Sequence, residues 1–285
     1  LHIQWFPGHM TKSLRLIEEN IKLCDAVIYV LDARAVHSCF NPRFASIILE
    51  KPCLMLLNKS DLADDKVTNE WLKFFEKKNI RAIKSNASLN NLKRPLIEQL
   101  KNLLSDKIKA AQNKGVNKTL RAMVIGVPNS GKSSIINSVA QEKRAVTGDR
   151  PGVTRGKQWL RLSENVELLD TPGTLWNSFE DQNIARHLAY IGSIKDDILD
   201  ILELSLCLIE ELIKISPQNF KGRYDADLKK PPVEILKEIC KKRAFLLQGQ
   251  ELDLERGAKA VLDDFRKGKV GNISLEKVSE ETFIV

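Results

Sequence analysis

No apolar run in the sequence approaches the roughly 20 residues that a helix needs to cross a bilayer. The opening segment, Leu1-His2-Ile3-Gln4-Trp5-Phe6, has neither the basic nor the apolar block of a signal peptide, so a cytoplasmic location without a membrane partner is the expectation. Paired cysteines are also lacking. Cys24, Cys39, Cys53, Cys207 and Cys240 are scattered, odd in number and never spaced C-x-x-C, which argues for reduced, buried thiols over disulfides or a zinc site. The sequence thus offers no paired-cysteine redox centre. What is present is 285 residues of ordinary composition, 43% hydrophobic and 29% charged, enough for one large or two modest domains with their own cores.

Charge is uneven along the chain. Residues 1–177 carry 28 Lys and Arg against 17 Asp and Glu, a balance of +11, whereas residues 178–285 carry 17 against 20, a balance of −3. A basic excess in the first part favours a polyanionic partner such as RNA, with a solvated surface as the alternative.

The stretch Gly126-Val127-Pro128-Asn129-Ser130-Gly131-Lys132-Ser133 fits G-x-x-x-x-G-K-[ST] between the apolar run Leu120 to Ile125 and a helical pattern from Ser133 to Val139. In that strand, loop and helix context the backbone curls so that successive NH groups and the helix N-terminus face a phosphate. Asn129, Ser130, Gly131, Lys132, Ser133 and Ser134 are the candidate nucleotide-binding residues here. Lys132 would reach the β- and γ-phosphates and the Ser133 hydroxyl would ligate Mg²⁺.

A second strand pattern, Cys53 to Leu57, runs into Asn58-Lys59-Ser60-Asp61, which is N-K-x-D. Asp61 would accept from the ring NH and exocyclic amine of guanine, a donor pair that adenine lacks. Asn58 would tie this loop to the phosphate loop, and the Lys59 stem would pack over the base. Taken alone the motif also reads as a polar turn with Asp as a helix cap. Ser85-Asn86-Ala87-Ser88 supplies Ser85 and Ala87 as candidates for a further contact to guanine. A strand pattern from Val166 to Leu169 then delivers Asp170-Thr171-Pro172-Gly173, a D-x-x-G that places a carboxylate on Mg²⁺ and a glycine NH on the γ-phosphate. Between them, Arg150-Pro151-Gly152-Val153-Thr154-Arg155-Gly156 offers Thr154 to Mg²⁺ and the γ-phosphate. Lys143, Arg144, Arg150, Arg155, Lys157 and Arg161 around it suit RNA, a partner or a solvated loop.

The remaining pattern is α/β and then helical. Helices are expected over 12–23 with Thr11 as cap, 66–78 and 92–112, and strands over 26–31 and 80–83. Helical spacing then recurs over 184–194, 196–213, 232–246 and 252–266, with Pro217, Pro231-Pro232, Gly249 and Gly268 as punctuation and an irregular tail from Asn272. The expected division is residues 1–177 as a nucleotide-binding domain with a mainly parallel sheet and 178–285 as an all-helical domain. Eight basic and four acidic residues in 221–243 make a candidate RNA face or a solvated helix surface. The base-reading motif precedes the phosphate loop, the reverse of the usual order in GTPases, and a circular permutation accounts for it.

These motifs together make the sequence resemble the circularly permuted GTPases of the YlqF/YawG group, most closely the bacterial ribosome biogenesis GTPase A family. The resemblance spans about residues 3–195 through Trp5-Phe6-Pro7-Gly8-His9-Met10, Asp32-Ala33-Arg34, Asn58 to Asp61, Gly126 to Ser133, Pro151 to Thr154 and Asp170 to Gly173. It implies a permuted P-loop GTPase using GTP/GDP and Mg²⁺ in late assembly of the large ribosomal subunit. Its partners would be rRNA and ribosomal proteins, its activity would be stimulated by the particle, and its helical C-terminal domain would contact RNA. A monomer is expected. Thr174-Leu175 stands where Ras-like enzymes place a water-orienting glutamine, and the resemblance implies that His9 takes over, beside Lys132, Thr154 and Gly173. The alternative for His9 is a bond to backbone or rRNA. Asn129 matches the phosphate-loop asparagine of potassium-activated GTPases, so K⁺ is a further candidate cofactor. A competing class is a GTP-loaded placeholder on RNA whose hydrolysis only times release, or a GTPase acting on another RNA.

Overall fold

The structure is a computed structural model that describes residues 2–4, 8–86, 92–139, 158–176 and 179–279. Trp5, Phe6, Pro7, Ala87, Thr154 and the basic segment 143–157 lie outside the described residues, and His9 is described by its backbone alone.

In chain order the elements are α1 (His9–Asn20), a 3-10 turn (Ile21–Leu23), β1 (Ala26–Asp32), α2 (Ala45–Glu50), β2 (Cys53–Asn58), α3 (Asp65–Lys77) and β3 (Arg81–Lys84). After these come α4 (Lys93–Leu103), α5 (Ser105–Gln112), β4 (Leu120–Ile125), α6 (Lys132–Val139), β5 (Gln158–Ser163) and β6 (Val166–Asp170). The last part holds α7 (Gln182–Tyr190), α8 (Ile201–Ile215), α9 (Pro217–Tyr224), α10 (Pro232–Lys242) and α11 (Leu254–Arg266).

Among the described residues six strands form one sheet in the order β3-β2-β1-β4-β6-β5, parallel except for β5, which pairs antiparallel with β6. Every residue of β1 is buried, as a central strand covered on both faces requires. Its side chains alternate between two cores. Val27, Tyr29 and Leu31 join Trp71 of α3 and Leu204, Leu208, Leu262 and Phe265 of the C-terminal helices. Ala26, Ile28 and Val30 join Leu96 and Leu100 of α4 and Ile135 and Val139 of α6. Aspartates start four of the helices: Asp64, Asp181, Asp200 and Asp253 each accept from a first-turn NH, worth about 1 kcal/mol apiece.

Several boundaries differ from the sequence expectation. α1 starts at His9, so Thr11 lies inside the helix and caps nothing. The pattern over 92–112 breaks at Leu104, whose φ of −109° and ψ of 19° leave the α region and divide α4 from α5. The segment 196–213 is a 3-10 turn and then α8, because Asp200 caps a new start. Arg161 belongs to β5 and not to a loop, and Pro217 opens α9 at its first turn, where a missing NH costs nothing. The tail has no helix or strand through residue 279, yet it is anchored: Ile273 and Leu275 are buried and donate to Leu62 O and Arg34 O.

His187 explains part of that anchoring. Its Nδ1 lies 2.8 Å from Glu276 Oε1 and its Nε2 lies 2.7 Å from Glu211 Oε1. Burial alone would lower the imidazole pKa, but the two carboxylates override it and hold it up at about 9, so the ring is a cation at neutral pH. Ser38 completes the cluster, donating its NH and its hydroxyl to Glu276. Ser38 is fully buried, so the grouping is a structural clasp between the sheet, α7, α8 and the tail.

Candidate nucleotide-binding and hydrolysis site

The three motifs lie at the carboxyl ends of parallel strands of one sheet: Asn58 closes β2, Gly126 follows β4 and Asp170 closes β6, with β1 between the first two. This edge is where open α/β sheets bind ligands.

Asn58 is the joint between the loops. Its Nδ2 donates to Ser130 O at 2.9 Å, and Ser85 Oγ donates to its Oδ1 at 3.2 Å. The Ser85 carbonyl in turn accepts from the Ser60 NH and hydroxyl, which fixes the N-K-x-D loop against β3. Gly131 must be glycine here: at φ +96° an added Cβ would fall 2.1 Å from Asn58 Nδ2. Asp61 is exposed beside this joint.

Lys132 opens α6, whose N-terminus faces the loop. Its ammonium donates to Gly126 O at 3.1 Å and Val127 O at 2.7 Å. Burial pulls its pKa down to about 8, and the Asp170 charge opposes that fall. Ser133 is half-buried, Ser134 is exposed, and Ser130 Oγ donates to Val127 O at 3.0 Å. Gly173 presses on the loop: a Cβ there would lie 2.6 Å from Pro128 Cα and 2.9 Å from Lys132 Nζ. Thr174 NH donates to Gly126 O at 3.2 Å, so the D-x-x-G segment and the phosphate loop are bonded directly.

Asp170 tests whether the site suits a metal. Both of its carboxylate oxygens are buried without a hydrogen-bond partner among the described residues. Burial raises its pKa to about 6, against the pull of Lys132. A buried carboxylate left in this condition needs a cation to be stable in its charged form. Hard oxygen donors from Asp170 and Ser133 fit Mg²⁺, which would neutralise charge on the β- and γ-phosphates.

The motif reading gave no role to Asp32, Arg34, Gly192, Ser193 or Arg266, which brace the loops of the site. Lys59 Nζ donates to Asn129 O at 2.7 Å and pairs with Asp32 Oδ2 at 3.0 Å. Asp32 also holds Arg34 by two bonds, Nε to Oδ1 at 2.9 Å and Nη2 to Oδ2 at 2.8 Å. Although burial opposes ionisation, the Arg34 and Lys59 charges keep the Asp32 carboxyl well below the usual range. Arg34 Nη1 then reaches Arg266 O at 3.1 Å at the end of α11. On the other side, Asn129 Nδ2 donates to Gly192 O at 2.7 Å and Ser193 Oγ donates to Pro128 O at 2.7 Å. The phosphate loop is thereby gripped by the turn after α7, which Arg266 ties to α11 through Tyr190 O and Ala189 O. The signal available beforehand was the charged triplet Asp32-Ala33-Arg34 at the end of an apolar strand.

A phosphate loop, a guanine-reading motif and a D-x-x-G at the carboxyl ends of parallel strands of one sheet, met in permuted order, define a P-loop GTPase. Comparison with known proteins agrees. A profile described as 50S ribosome-binding GTPase matches residues 121–237. Ribosome biogenesis GTPase A of Bacillus cereus is 40% identical over 280 residues, 98% of this chain and 95% of the relative. The protein of the same name from Priestia megaterium is 40% identical over 98% of both chains. Among solved structures, GDP-bound YlqF superposes with a TM-score of 0.67 at 27% identity, covering 92% of this chain and 98% of that one. The chain belongs to the ribosome biogenesis GTPase A family. It is a guanine-nucleotide-binding enzyme that hydrolyses GTP, with a role in ribosome assembly.

Proposed function

We propose that the protein acts late in assembly of the large ribosomal subunit and that the particle switches on its GTP hydrolysis. The observation that supports a hydrolysis switched on from outside the motif is the burial of the two residues after Gly173. Thr174 is fully buried with its NH on the phosphate loop, and Leu175 is fully buried in the core, so neither side chain is placed to orient a water. The missing group must come from elsewhere, and His9, at the first turn of α1, is our candidate. Lys132, Gly173 and Thr154 would hold the γ-phosphate, with Ser133, Asp170 and Thr154 toward Mg²⁺. Asp61, with Lys59, Ser85 and Ala87, would read guanine. K⁺ would be held by the amide oxygen of Asn129, whose nitrogen donates to Gly192 O. The helical part, residues 178–285, would contact rRNA or ribosomal proteins, and the protein would work as a cytoplasmic monomer.

Turnover measured with purified large subunits in K⁺ buffer tests this. Wild type should be stimulated strongly, whereas His9→Ala should bind GTP normally and lose on the order of 100-fold of the stimulated rate. Equal stimulated rates in the two proteins would remove His9 from the mechanism. No stimulation of wild type would remove the particle as the trigger. Replacing K⁺ with Na⁺ in the same assay should lower the rate if Asn129 serves an ion.

A further inference from the structure

We infer that α4, α5 and the turn after them form a second RNA-binding surface, one that grips the phosphate backbone of structured RNA independently of the nucleotide site. Residues 93–118 hold seven Lys and Arg against two Asp and Glu. Charge of this kind is often only a solvated face, so the pairing of each cation matters. Lys107 and Lys118 both reach Asp25, at 2.6 and 3.2 Å. Lys93, Arg94, Lys101, Lys109 and Lys114 have no ion-pair partner among the described residues.

The other basic segment, 221–243, behaves differently. Arg223 and Arg243 both bind Asp264, Lys230 binds Glu238, Lys237 binds Glu234 and Lys242 binds Asp225. Five of its eight cations are therefore compensated within the protein. Among the described residues, five cations of 93–118 are left without an ion pair against three of 221–243.

Packing gives an independent reason. α5 buries no residue, so its lysines serve no core, and its Ile108 is only partly covered. Arg94 and Lys101 stand seven residues apart on α4 and share a face. The segment 93–118 contains no aromatic side chain, which removes the stacking platform that single-stranded bases need. Charge without stacking suits the backbone of an RNA duplex.

Location makes the surface compatible with GTP. Asp25 precedes β1 and Lys118 precedes β4, the amino ends of parallel strands whose carboxyl ends carry the nucleotide motifs. A seven-residue strand spans about 20 Å. α4 also covers the sheet face opposite the one that shares its core with the C-terminal helices, so RNA here and a contact there would hold the particle from two sides.

The inference rests on the ribosome-assembly reading only for the identity of the RNA. The test is a Lys101→Gln, Lys109→Gln, Lys114→Gln triple variant, titrated against a short RNA duplex and against purified large subunits over a range of salt concentrations. We expect the slope of log affinity against log salt to become shallower by roughly 2 to 3 for both probes, since each lost phosphate contact removes about 0.9. Basal GTP hydrolysis and Tm should match wild type, and the corresponding Lys→Arg variant should keep the steep slope. An unchanged slope, with wild type binding well, would overturn the inference. A loss confined to the subunits with duplex binding intact would also overturn it, assigning the surface to an acidic protein. Failure of wild type to bind large subunits while it binds the duplex would instead sink the ribosome reading and leave this surface standing.

Discussion

Asp170→Asn is expected to abolish Mg²⁺-dependent GTP hydrolysis while making the nucleotide-free protein more stable. The first effect comes from the loss of an anionic oxygen where the metal is held, and removal of one such electrostatic group costs on the order of 100- to 1,000-fold in rate. The second comes from burial. The folded-state pKa of Asp170 is raised to about 6 from an ordinary 3.8, so the folded chain binds its proton more tightly than the unfolded chain does. At neutral pH that difference is a penalty of roughly 3 kcal/mol, relieved as pH falls through 6 toward 3.8. Asparagine carries no charge to desolvate. Part of the gain is offset because Lys132 loses its opposing charge. Thermal unfolding without nucleotide should show a Tm several degrees above wild type at pH 7, with the gap closing on mild acidification. A variant that lost stability as well as activity would show that Asp170 is held by something other than an absent cation. The site trades stability for function, as strained functional sites do.

Arg34→Met is expected to be among the most damaging substitutions outside the motifs that touch nucleotide. Arg34 is 2% exposed and Asp32 is 0% exposed, so the pair lies out of water. Removing the guanidinium leaves Lys59 as the one cation on Asp32 among the described residues and deprives Phe265 O and Arg266 O of a donor. Breaking one side of a buried pair costs roughly 3–5 kcal/mol, or a Tm drop on the order of 10 °C for a chain of this size. Lys59 would also turn further toward the Asp32 carboxylate and away from Asn129 O, so GTP affinity should fall together with stability. Adding Asp32→Asn to Arg34→Met removes the stranded charge and should recover part of the loss. Chemical denaturation of the two variants measures both effects. A single variant within about 1 kcal/mol of wild type, by the same scale, would contradict the network.

The parallel sheet was legible because its strands are short apolar runs that end in polar motifs, as Asn58, Gly126 and Asp170 do. The antiparallel β5 was not: Gln158 to Ser163 mixes Trp and Leu with an arginine that reads as part of a basic loop. The break at Leu104 leaves no mark either, since Leu92, Leu96, Leu100, Leu104 and Ile108 keep helical spacing straight through it. Pro217 reads as a stop and is a start, because proline suits the first turn as well as the residue after the last. In the site, the tie from Asn58 to the phosphate loop is implied by the motif, and the structure places it at 2.9 Å. The grip of Gly192 and Ser193 on that loop is not, because it joins residues more than 60 positions apart through a backbone carbonyl and a lone hydroxyl. The tail is the same case. Its buried Ile273 and Leu275 and its half-buried Glu276 stand in a polar stretch, and only their partners Leu62, Arg34 and His187 give them a place.

Co-sedimentation of the protein with purified large and small ribosomal subunits, in a non-hydrolysable GTP analogue and in GDP, tests the central claim most directly. The account predicts retention on the large subunit in the triphosphate state and release in GDP, with little retention on the small subunit. Equal retention on both subunits, or retention indifferent to the nucleotide, would contradict it.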